Sequence, residues 1–395
     1  MSLNFLWQKK EEIFSVLDIG TSSVKVLINK KKEKKTVVLG SGVQYFNKEN
    51  IFEEGLENDF FCEIVKETIL RTFKESEEEI FLDSQKKGNK TINYNKWKEK
   101  PCLVTLPPNI LKARIIEGFL EKPDSDSKIS KKEEKVILEK IIRQCLNKTS
   151  WLFFRDIGIL PDDISWVSLK ILEKKIDGYP VNKFEGYKGK ELSIEVLVNF
   201  LPKRYFQIIK KILQSLDLKV LGIFHLADSF VSFFKEEKLN GVFIDVGGEI
   251  SQIFMIKEGR LVNVKEWRTG GQDFIRELFQ TFAIGQEFAR KIQEEYSMGK
   301  LNPESKNKIK EIFLKVKDNW FKGLEKEAKE VIFNKHLFSQ AFLFGGASLL
   351  PEIRESFERV KIFCPKDFKN VEISEKKYNK PQFSPPLFIS QIYGA

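Results

Sequence analysis

The chain has 395 residues, and its 42% hydrophobic content supports two or three globular domains and excludes a disordered protein. No apolar run approaches the ~20 residues that cross a bilayer, and the N-terminus lacks the order of a secretion signal, so we expect a cytoplasmic protein. The net charge of +10 comes from Lys and Glu residues interleaved throughout, without a basic stripe bearing stacking aromatics, so nucleic-acid binding is not expected.

Cysteine and histidine are too few and too scattered to predict a zinc site or a Cys/His nucleophile. The cysteines form no CxxC pair, and we expect them to be reduced and structural. These residues are Cys62, Cys102, Cys145, Cys364, His225 and His336.

The first hundred residues predict three strands and a helix. The strands are expected at 14–17, 24–28 and 36–42, with "NKKKEKK" as the turn between the last two. Apolar residues at helical spacing predict a helix at 59–73. The polar stretch at 76–100 predicts an inserted loop.

A second unit begins near residue 100. "PCLVTLPP", "KARIIEGFLEK" and "DISWVSLKILEKKIDGYPV" predict strands, and Ser130 is placed to cap an amphipathic helix. "GKELSIEVLVNFLP" predicts a long strand buried on both faces. The helix "KRYFQIIKKILQSL" and the strand "KVLGIFHL" are expected to follow.

The third unit repeats the pattern at the start of the chain. In "VLDIGTSSVKVLI" a strand ends at Asp18, turns through small residues and resumes, and in "FIDVGGEISQIF" a strand ends at Asp245 and does the same. Helices are expected from 274 to 337. "QAFLFGGASLLPEI" gives a third glycine turn, which is expected to open a helix at Leu349, and the tail after Lys366 is poorly periodic.

Turns of this kind suit phosphate binding. Glycine lets the backbone approach a phosphate closely, and hydroxyl and backbone N–H groups donate to its oxygens. A nearby carboxylate holds Mg²⁺, usually through water. One such turn is more often a structural hairpin, but two that face each other, followed by a GG turn, indicate a nucleotide site.

The three turns, in this order, resemble those of the actin, Hsp70 and sugar-kinase ATPase superfamily. The resemblance implies an α/β, actin-like (ribonuclease H-like) two-lobed fold that binds ATP and Mg²⁺, with Asp18 and Asp245 holding the metal through water. The first two turns would clasp the phosphates, and "FGGASLL" would lie under the adenosine. The implied nucleotide-binding residues are Asp18, Gly20, Thr21, Ser22, Ser23, Lys25, Asp245, Gly247, Gly248, Gly270, Gly271, Gly345 and Gly346.

Within this superfamily the chain looks most like the division-protein family FtsA, which carries an inserted SHS2-type module. "IDGYPVNKFEGYKGKELSIEVLVN" is similar to a stretch of that family, at Asp177, Gly178, Gly186, Gly189 and Leu192. The resemblance implies a first lobe at 1–99 and 191–238, the module at 100–190, a second lobe at 239–365, and a C-terminal segment at 366–395 that returns to the first lobe or forms a tail. The pilus-protein family PilM shares the opening "DIGTSSVKV" after a Lys-rich leader but usually lacks the Asp-Gly stretch.

The second turn departs from the family pattern. Glu249, Ile250 and Gln252 stand where relatives have glycine, a hydroxyl residue and an acid, and Glu249 would repel phosphate unless a cation compensates. The E-x-x-K of the later helix is replaced by Arg290 and Gln293. We therefore expect nucleotide binding with slow or absent hydrolysis.

The FtsA resemblance implies a cell-division adaptor that forms filaments and links a ring of the tubulin-like FtsZ to the cytoplasmic face of the inner membrane. The C-terminus, "PPLFISQIYGA", does not resemble the family's basic amphipathic helix. The leader has Leu3, Leu6 and Trp7 on one helical face with Lys9 and Lys10 behind, but it is also typical of a frayed end. The membrane would be reached directly or through a partner.

Two other functions stay open. A PilM-like scaffold would bind the cytoplasmic N-terminal segment of a pilus inner-membrane protein. A sugar kinase or chaperone ATPase would turn over ATP, but Gln252 and the lack of an identifiable second catalytic carboxylate argue against more than a weak ATPase.

Overall fold

The computed structural model describes residues 12–46, 59–86, 99–234, 238–329, 340–373 and 375–393. The leader with its candidate membrane face lies outside these residues. The described strands form three sheets, which define two lobes and an inserted module. None of the described helices combines the length and apolar character needed to span a bilayer.

Lobe I is built on a six-stranded sheet in the order β15-β3-β2-β1-β4-β9, in which β1, β2 and β3 are antiparallel and the other neighbours are parallel. Strand β1 is buried from Phe14 to Ile19, as expected for a central strand covered on both faces. The elements are β1 (Glu12–Ile19), β2 (Ser23–Lys32), β3 (Lys35–Tyr45), α1 (Asp59–Lys86), β4 (Cys102–Thr105), α3 (Lys203–Ser215), β9 (Val220–Ile223) and β15 (Val371–Ile373).

Lobe II repeats this topology with the order β12-β11-β10-β13-β14. Again a three-stranded antiparallel meander continues into two parallel strands. The internal repeat read from Asp18 and Asp245 is therefore a repeat of structure. The elements are β10 (Gly241–Val246), β11 (Ser251–Lys257), β12 (Arg260–Trp267), α5 (Gly271–Phe282), α6 (Gln286–Ser297), α7 (Pro303–Glu327), β13 (Ala341–Phe344), α8 (Pro351–Arg354) and β14 (Val360–Ile362).

The inserted module is an antiparallel sheet in the order β5-β8-β6-β7, covered by one long helix. Ser130 caps this helix as expected: its Oγ accepts from the Glu133 N–H at 3.2 Å, and the Glu133 carboxylate accepts from the Ser130 N–H at 2.7 Å. The elements are β5 (Lys112–Glu121), α2 (Lys131–Ile157), β6 (Ile164–Ile176), β7 (Tyr179–Val181) and β8 (Glu191–Pro202).

The limits of the module differ from those expected at both ends. Strand β4, which we placed in the module, pairs with β1 of lobe I. Strand β8, which we placed in lobe I, is an inner strand of the module's sheet. Its apolar run serves three cores: Val196 and Val198 pack in the module, Leu197 packs in the core shared by the lobes, and Leu201 packs in the core of lobe I.

The stretch that carried the FtsA resemblance holds the module's loops together. The Asp177 carboxylate accepts from the backbone N–H groups of Lys190 at 3.0 Å and Glu191 at 2.7 Å. A Cβ at Gly189 would lie 2.8 Å from Asp177 Oδ2, so the carboxylate packs directly on this glycine. Asp177 and Gly189 therefore have a structural role in the module.

Helix α1 extends to Lys86, through part of the stretch that we expected to be an inserted loop. Two glutamates on its second half accept from strand β3: Glu75 from the Val43 N–H at 2.9 Å and Glu79 from the Ser41 N–H at 3.1 Å. The helix lies close to the sheet because Gly42 is there, where a Cβ would meet the Thr72 carbonyl oxygen at 2.2 Å. These charged residues look like a loop in sequence but face the sheet.

The C-terminal segment returns to lobe I. Strand β15 pairs with β3, and the buried helix α9 (Ser384–Ser390) packs beside β1. Helix α9 also contacts α4 (Leu226–Phe233), which joins the two lobes.

Phenylalanine side chains form much of the packed core between the lobes. Phe230 of α4 stacks on Phe254 with ring centroids 4.5 Å apart and lies 4.6 Å from Phe388 of α9. Phe243 stacks on Phe342 at 4.5 Å. The high phenylalanine content thus fills the core shared by the lobes.

Candidate functional site

The first glycine turn joins β1 to β2 and places a carboxylate beside an amine. Asp18 and Lys25 are paired across the two strands, and Lys25 Nζ lies 2.9 Å from Asp18 Oδ2. The Gly20 N–H closes the turn by donating to the Ser23 carbonyl at 2.9 Å. Asp18, Thr21 and Ser23 are all buried.

The second turn repeats this register with different chemistry. Asp245 is paired with Gln252 across β10 and β11, so its strand partner is an amide. Burial raises the pKa of Asp245 to about 7; Lys25 opposes the rise and Asp18 adds to it. Among the described residues, the half-buried Asp245 carboxylate in the cavity wall has no cation opposite it in strand register.

The two turns touch each other across the cleft. Thr21 Oγ1 accepts a hydrogen bond from the Glu249 N–H at 2.9 Å. A Cβ on Gly248 would lie 2.2 Å from Ser22 Oγ, so only glycine allows this approach. The Glu249 N–H is therefore already engaged by the first turn.

The second turn also caps helix α5. The N–H groups of Gly271 and Gln272 donate to the carbonyls of Gly247 at 2.9 Å and Gly248 at 2.7 Å. A Cβ on Gly270 would meet the Gly248 carbonyl oxygen at 2.3 Å. The Gly270–Gly271 pair therefore packs α5 against the turn.

The third turn, after β13, packs against Asp245. Gly345 has φ +89°, and a Cβ there would lie 2.2 Å from Asp245 Oδ1. The Ala347 N–H donates to the Val246 carbonyl at 3.1 Å, and the Gly345 N–H donates to the Pro381 carbonyl at 3.0 Å. The expected helix begins at Pro351, two residues after Leu349, and has only four residues.

A cavity of about 360 Å³ lies between the lobes and collects the candidate residues. Of the thirteen, Gly270 alone does not line it, because it lies behind the second turn. Lys380, Pro381, Gln382 and Pro385 of the C-terminal segment also line it. The candidate residues in its wall are Asp18, Gly20, Thr21, Ser22, Ser23, Lys25, Asp245, Gly247, Gly248, Gly271, Gly345 and Gly346.

The mouth of the cavity lies between β3 and α6. The Arg290 guanidinium lies 4.1 Å from the centre of the Tyr45 ring, and the Tyr45 hydroxyl lies 3.4 Å from Glu294 Oε1. Burial and Glu294 raise the pKa of Tyr45 to about 12. Among the residues that the structure describes, Arg290 Nε is a buried donor without an acceptor, so it fits a ligand oxygen.

His225 and Gln252 form a pair in the cavity wall that sequence reasoning missed. Burial lowers the pKa of His225 to about 3, so the ring is neutral. Nδ1 accepts from the Ala227 N–H at 3.0 Å, which leaves the proton on Nε2, 3.1 Å from the Gln252 amide. As placed, the amide nitrogen faces the ring, so a hydrogen bond from Nε2 requires the Gln252 amide to turn its oxygen toward it. The His-x-x-Asp capping pattern at the start of α4 was the available signal.

The carboxylates fit a magnesium ion that takes most of its ligands from phosphate and water. Mg²⁺ prefers oxygen ligands and commonly uses one or two carboxylates beside substrate phosphates. Asp18 and Asp245 both line the cavity, and Asp245 lacks a cation in strand register. Among the described residues, no group of three or more His, Cys, Asp or Glu side chains forms a metal cage.

No family model and no curated protein matches the chain. Solved structures do: one described as a PilM–PilN type IV pilus biogenesis complex superposes with a TM-score of 0.63 at 14% identity, over 98% of this chain and 99% of that chain. EutJ from Carboxydothermus hydrogenoformans follows (TM-score 0.46, 11% identity, 97% and 90% covered). MreB 5 of Spiroplasma citri bound to AMPPNP is another (TM-score 0.40, 12% identity, 98% and 96% covered).

The PilM–PilN superposition covers both lobes and the module of this chain. Together with the repeated sheet topology, it confirms the expected α/β, actin-like ATPase fold.

Proposed function

We propose that this chain is an actin-like scaffold that binds ATP with Mg²⁺ in the cavity between its lobes. The observation that carries the proposal is the pair of Asp-ended glycine turns, in one register, that face each other across a cavity of about 360 Å³. A cavity of this size, with apolar walls and a few convergent polar groups, is typical of a small-molecule site.

The wall divides into a phosphate end and a base end. Lys25, the Thr21 and Ser22 hydroxyls and the glycine N–H groups would bind phosphates, with Mg²⁺ held near Asp18 and Asp245. The ion would neutralise phosphate charge and offset the repulsion from Glu249. Arg290 and its neighbours at the mouth would contact the nucleoside.

Hydrolysis would be slow. A water nucleophile needs a group that positions or deprotonates it. His225 is neutral, with Nδ1 already accepting, and Gln252 is bound to the ring, so neither offers a free base.

The partner we propose is a short segment of a membrane protein from a type IV pilus machine, bound at the cytoplasmic face of the inner membrane. The superposition over nearly all of both chains supports a PilM-like scaffold. The FtsA-like adaptor that links FtsZ to the membrane is the competing function, and it is supported by the sequence resemblance around Asp177.

The proposal is tested by calorimetric titration of the purified chain with Mg-ATP, then with the N-terminal peptide of the pilus protein and the C-terminal tail of FtsZ. We expect saturable ATP binding that Lys25→Met weakens at least about tenfold. Lys257→Met, at an exposed position of β11, serves as the matched control and should bind like wild type.

Two outcomes contradict these proposals separately. Absence of ATP binding to the folded wild-type chain would overturn the nucleotide site. Binding of the FtsZ tail and not of the pilus peptide would overturn the PilM-like function in favour of the division adaptor.

A further inference from the structure

The inserted module is connected through the chain to lobe I, but it also contacts lobe II. Both chain crossings, from β4 to β5 and from β8 to α3, lie on the lobe I side. Strand β5, however, runs beside β12, the edge strand of lobe II. The module therefore has covalent links to one lobe and non-covalent links to the other.

The main link is a charged cluster around Glu266 of β12. Arg114 donates to both carboxylate oxygens, at 2.8 Å each, and Lys112 Nζ lies 3.0 Å from Oε1. The Glu266 side chain is only 11% exposed. Burial alone would raise the pKa of Glu266, but the two cations hold it at about 2.

A second link reaches helix α4, beside the cavity. Asp228 is fully buried and accepts from Asn199 of β8 at 2.6 Å and from Ser168 of β6 at 3.2 Å. Its Oδ2 also accepts the His225 N–H at 3.0 Å. The module thus contacts Asp228, whose carboxylate also holds the backbone of His225 in the cavity wall.

Strand register connects the two links to the cavity. Asp245, Gln252 and Glu266 are neighbours on β10, β11 and β12, because Asp245 pairs with Gln252 and Gln252 pairs with Glu266. Glu266, which anchors the module, therefore lies two strands away from Asp245 in the cavity wall.

We propose that the inserted module is a strap that ties lobe I to lobe II and limits how far the cleft opens. To separate the lobes, the Glu266 cluster must break, or the module must move with lobe II and distort its crossings in lobe I. Breaking the cluster leaves buried charges unpaired, which is costly. The strap therefore holds the turns together and slows exchange of the ligand. The inference rests on the proposed function only for this last consequence.

The first readout does not require a nucleotide. Spin labels at the exposed positions Glu67→Cys on α1 and Lys291→Cys on α6 report the distance between lobe I and lobe II, in a chain with the half-buried Cys62→Ser and Cys364→Ser changes. The second readout is the release rate of a fluorescent ATP analogue.

Two variants disrupt the cluster, and a third variant is the control. Glu266→Gln removes the anchoring charge, and the combined Lys112→Met, Arg114→Met and Glu266→Met variant replaces the cluster with apolar side chains that keep the fold. Arg260→Gln is the matched control, because Arg260 of β12 also pairs with a module residue, Glu173 of β6, but is half exposed.

We expect both cluster variants to broaden the distances toward longer values and to speed release of the analogue about tenfold. Arg260→Gln should change neither. If the folded triple variant keeps the wild-type distances, the strap is wrong, whether or not the chain binds nucleotide. If the distances lengthen but the analogue never binds, the strap stands and the nucleotide site fails.

Discussion

In each lobe, the aspartate of the glycine turn faces the residue seven positions later on the next strand. In lobe I, Asp18 faces Lys25, and their charged atoms lie 2.9 Å apart. In lobe II, Asp245 faces Gln252, whose amide is bound to His225. Two hairpins with one backbone geometry thus place two carboxylates in the same cavity, one facing an amine and the other facing an amide.

This difference shows that the register sets where a carboxylate lies, whereas its partner sets its charge. A carboxylate that is partly removed from solvent and faces no cation holds its proton more tightly, and the pKa of Asp245 rises to about 7. A bound cation would reverse this. In the proposed site, a metal ion bound near Asp245 would therefore favour the ionised form of its carboxylate.

The largest effect should appear in the pH dependence of stability. The pKa of Asp245 rises from 3.8 unfolded to about 7 folded, so the folded chain keeps a proton that the unfolded chain loses. Stability therefore falls as pH rises through this window, by about 4 kcal/mol at 1.36 kcal/mol per unit. Urea unfolding should show this fall in the wild type and not in Asp245→Asn.

The matched variant for this prediction gives the second hairpin the same carboxylate–amine pair as the first hairpin. Gln252→Lys places an amine opposite Asp245, as Lys25 stands opposite Asp18, and should remove the same fall in stability. Equal pH slopes in wild type and Asp245→Asn would contradict the assignment of the titration to Asp245.

The next effect concerns the paired carboxylate. Lys25→Met leaves Asp18 buried without its cation and should destabilise the chain by about 3 kcal/mol, the lower end for a buried pair, because some solvent reaches both groups. It also removes the cation that lowers the pKa of Asp245. The urea midpoint should therefore drop, and the pH transition should move upward. The exposed Lys257→Met is the control and should leave both unchanged.

The hairpins were predictable because their signals are local. An apolar strand, an aspartate, small residues and a second strand lie within about fifteen residues, and strand pairing follows directly. The two turns face each other because the lobes repeat one topology, which the repeat in sequence already indicated. Twelve of the thirteen candidate residues line one cavity for this reason.

The remaining features depend on contacts between distant residues. Glu266 meets Lys112 and Arg114 more than 150 positions away, and His225 meets Gln252 across two lobes. Nothing local distinguishes these charges from the many interleaved surface charges. The sequence also could not predict that β8 lies in the module's sheet, because a strand buried on both faces fits either sheet.

A smaller effect distinguishes the surroundings of the two aspartates. Gly345 packs on Asp245 with φ +89°, so Gly345→Ala adds both a clash and backbone strain and should cost about 2 kcal/mol. The control is Gly20→Ala beside Asp18, where a Cβ would lie 3.1 Å from the Ser23 carbonyl oxygen. Its loss should be clearly smaller in the same thermal melts. Equal losses would mean that the third turn does not constrain Asp245.

The smallest effect lies where the two turns meet. Thr21→Val keeps the shape of the side chain but removes the oxygen that accepts from the Glu249 N–H, and should cost about 1 kcal/mol. Thr21→Ser keeps the acceptor and should be nearly neutral. The informative measurement is amide hydrogen exchange at Glu249, which should speed up in the Val variant alone. Unchanged exchange would show that another acceptor protects this N–H, and that the contact between the turns does not depend on the hydroxyl.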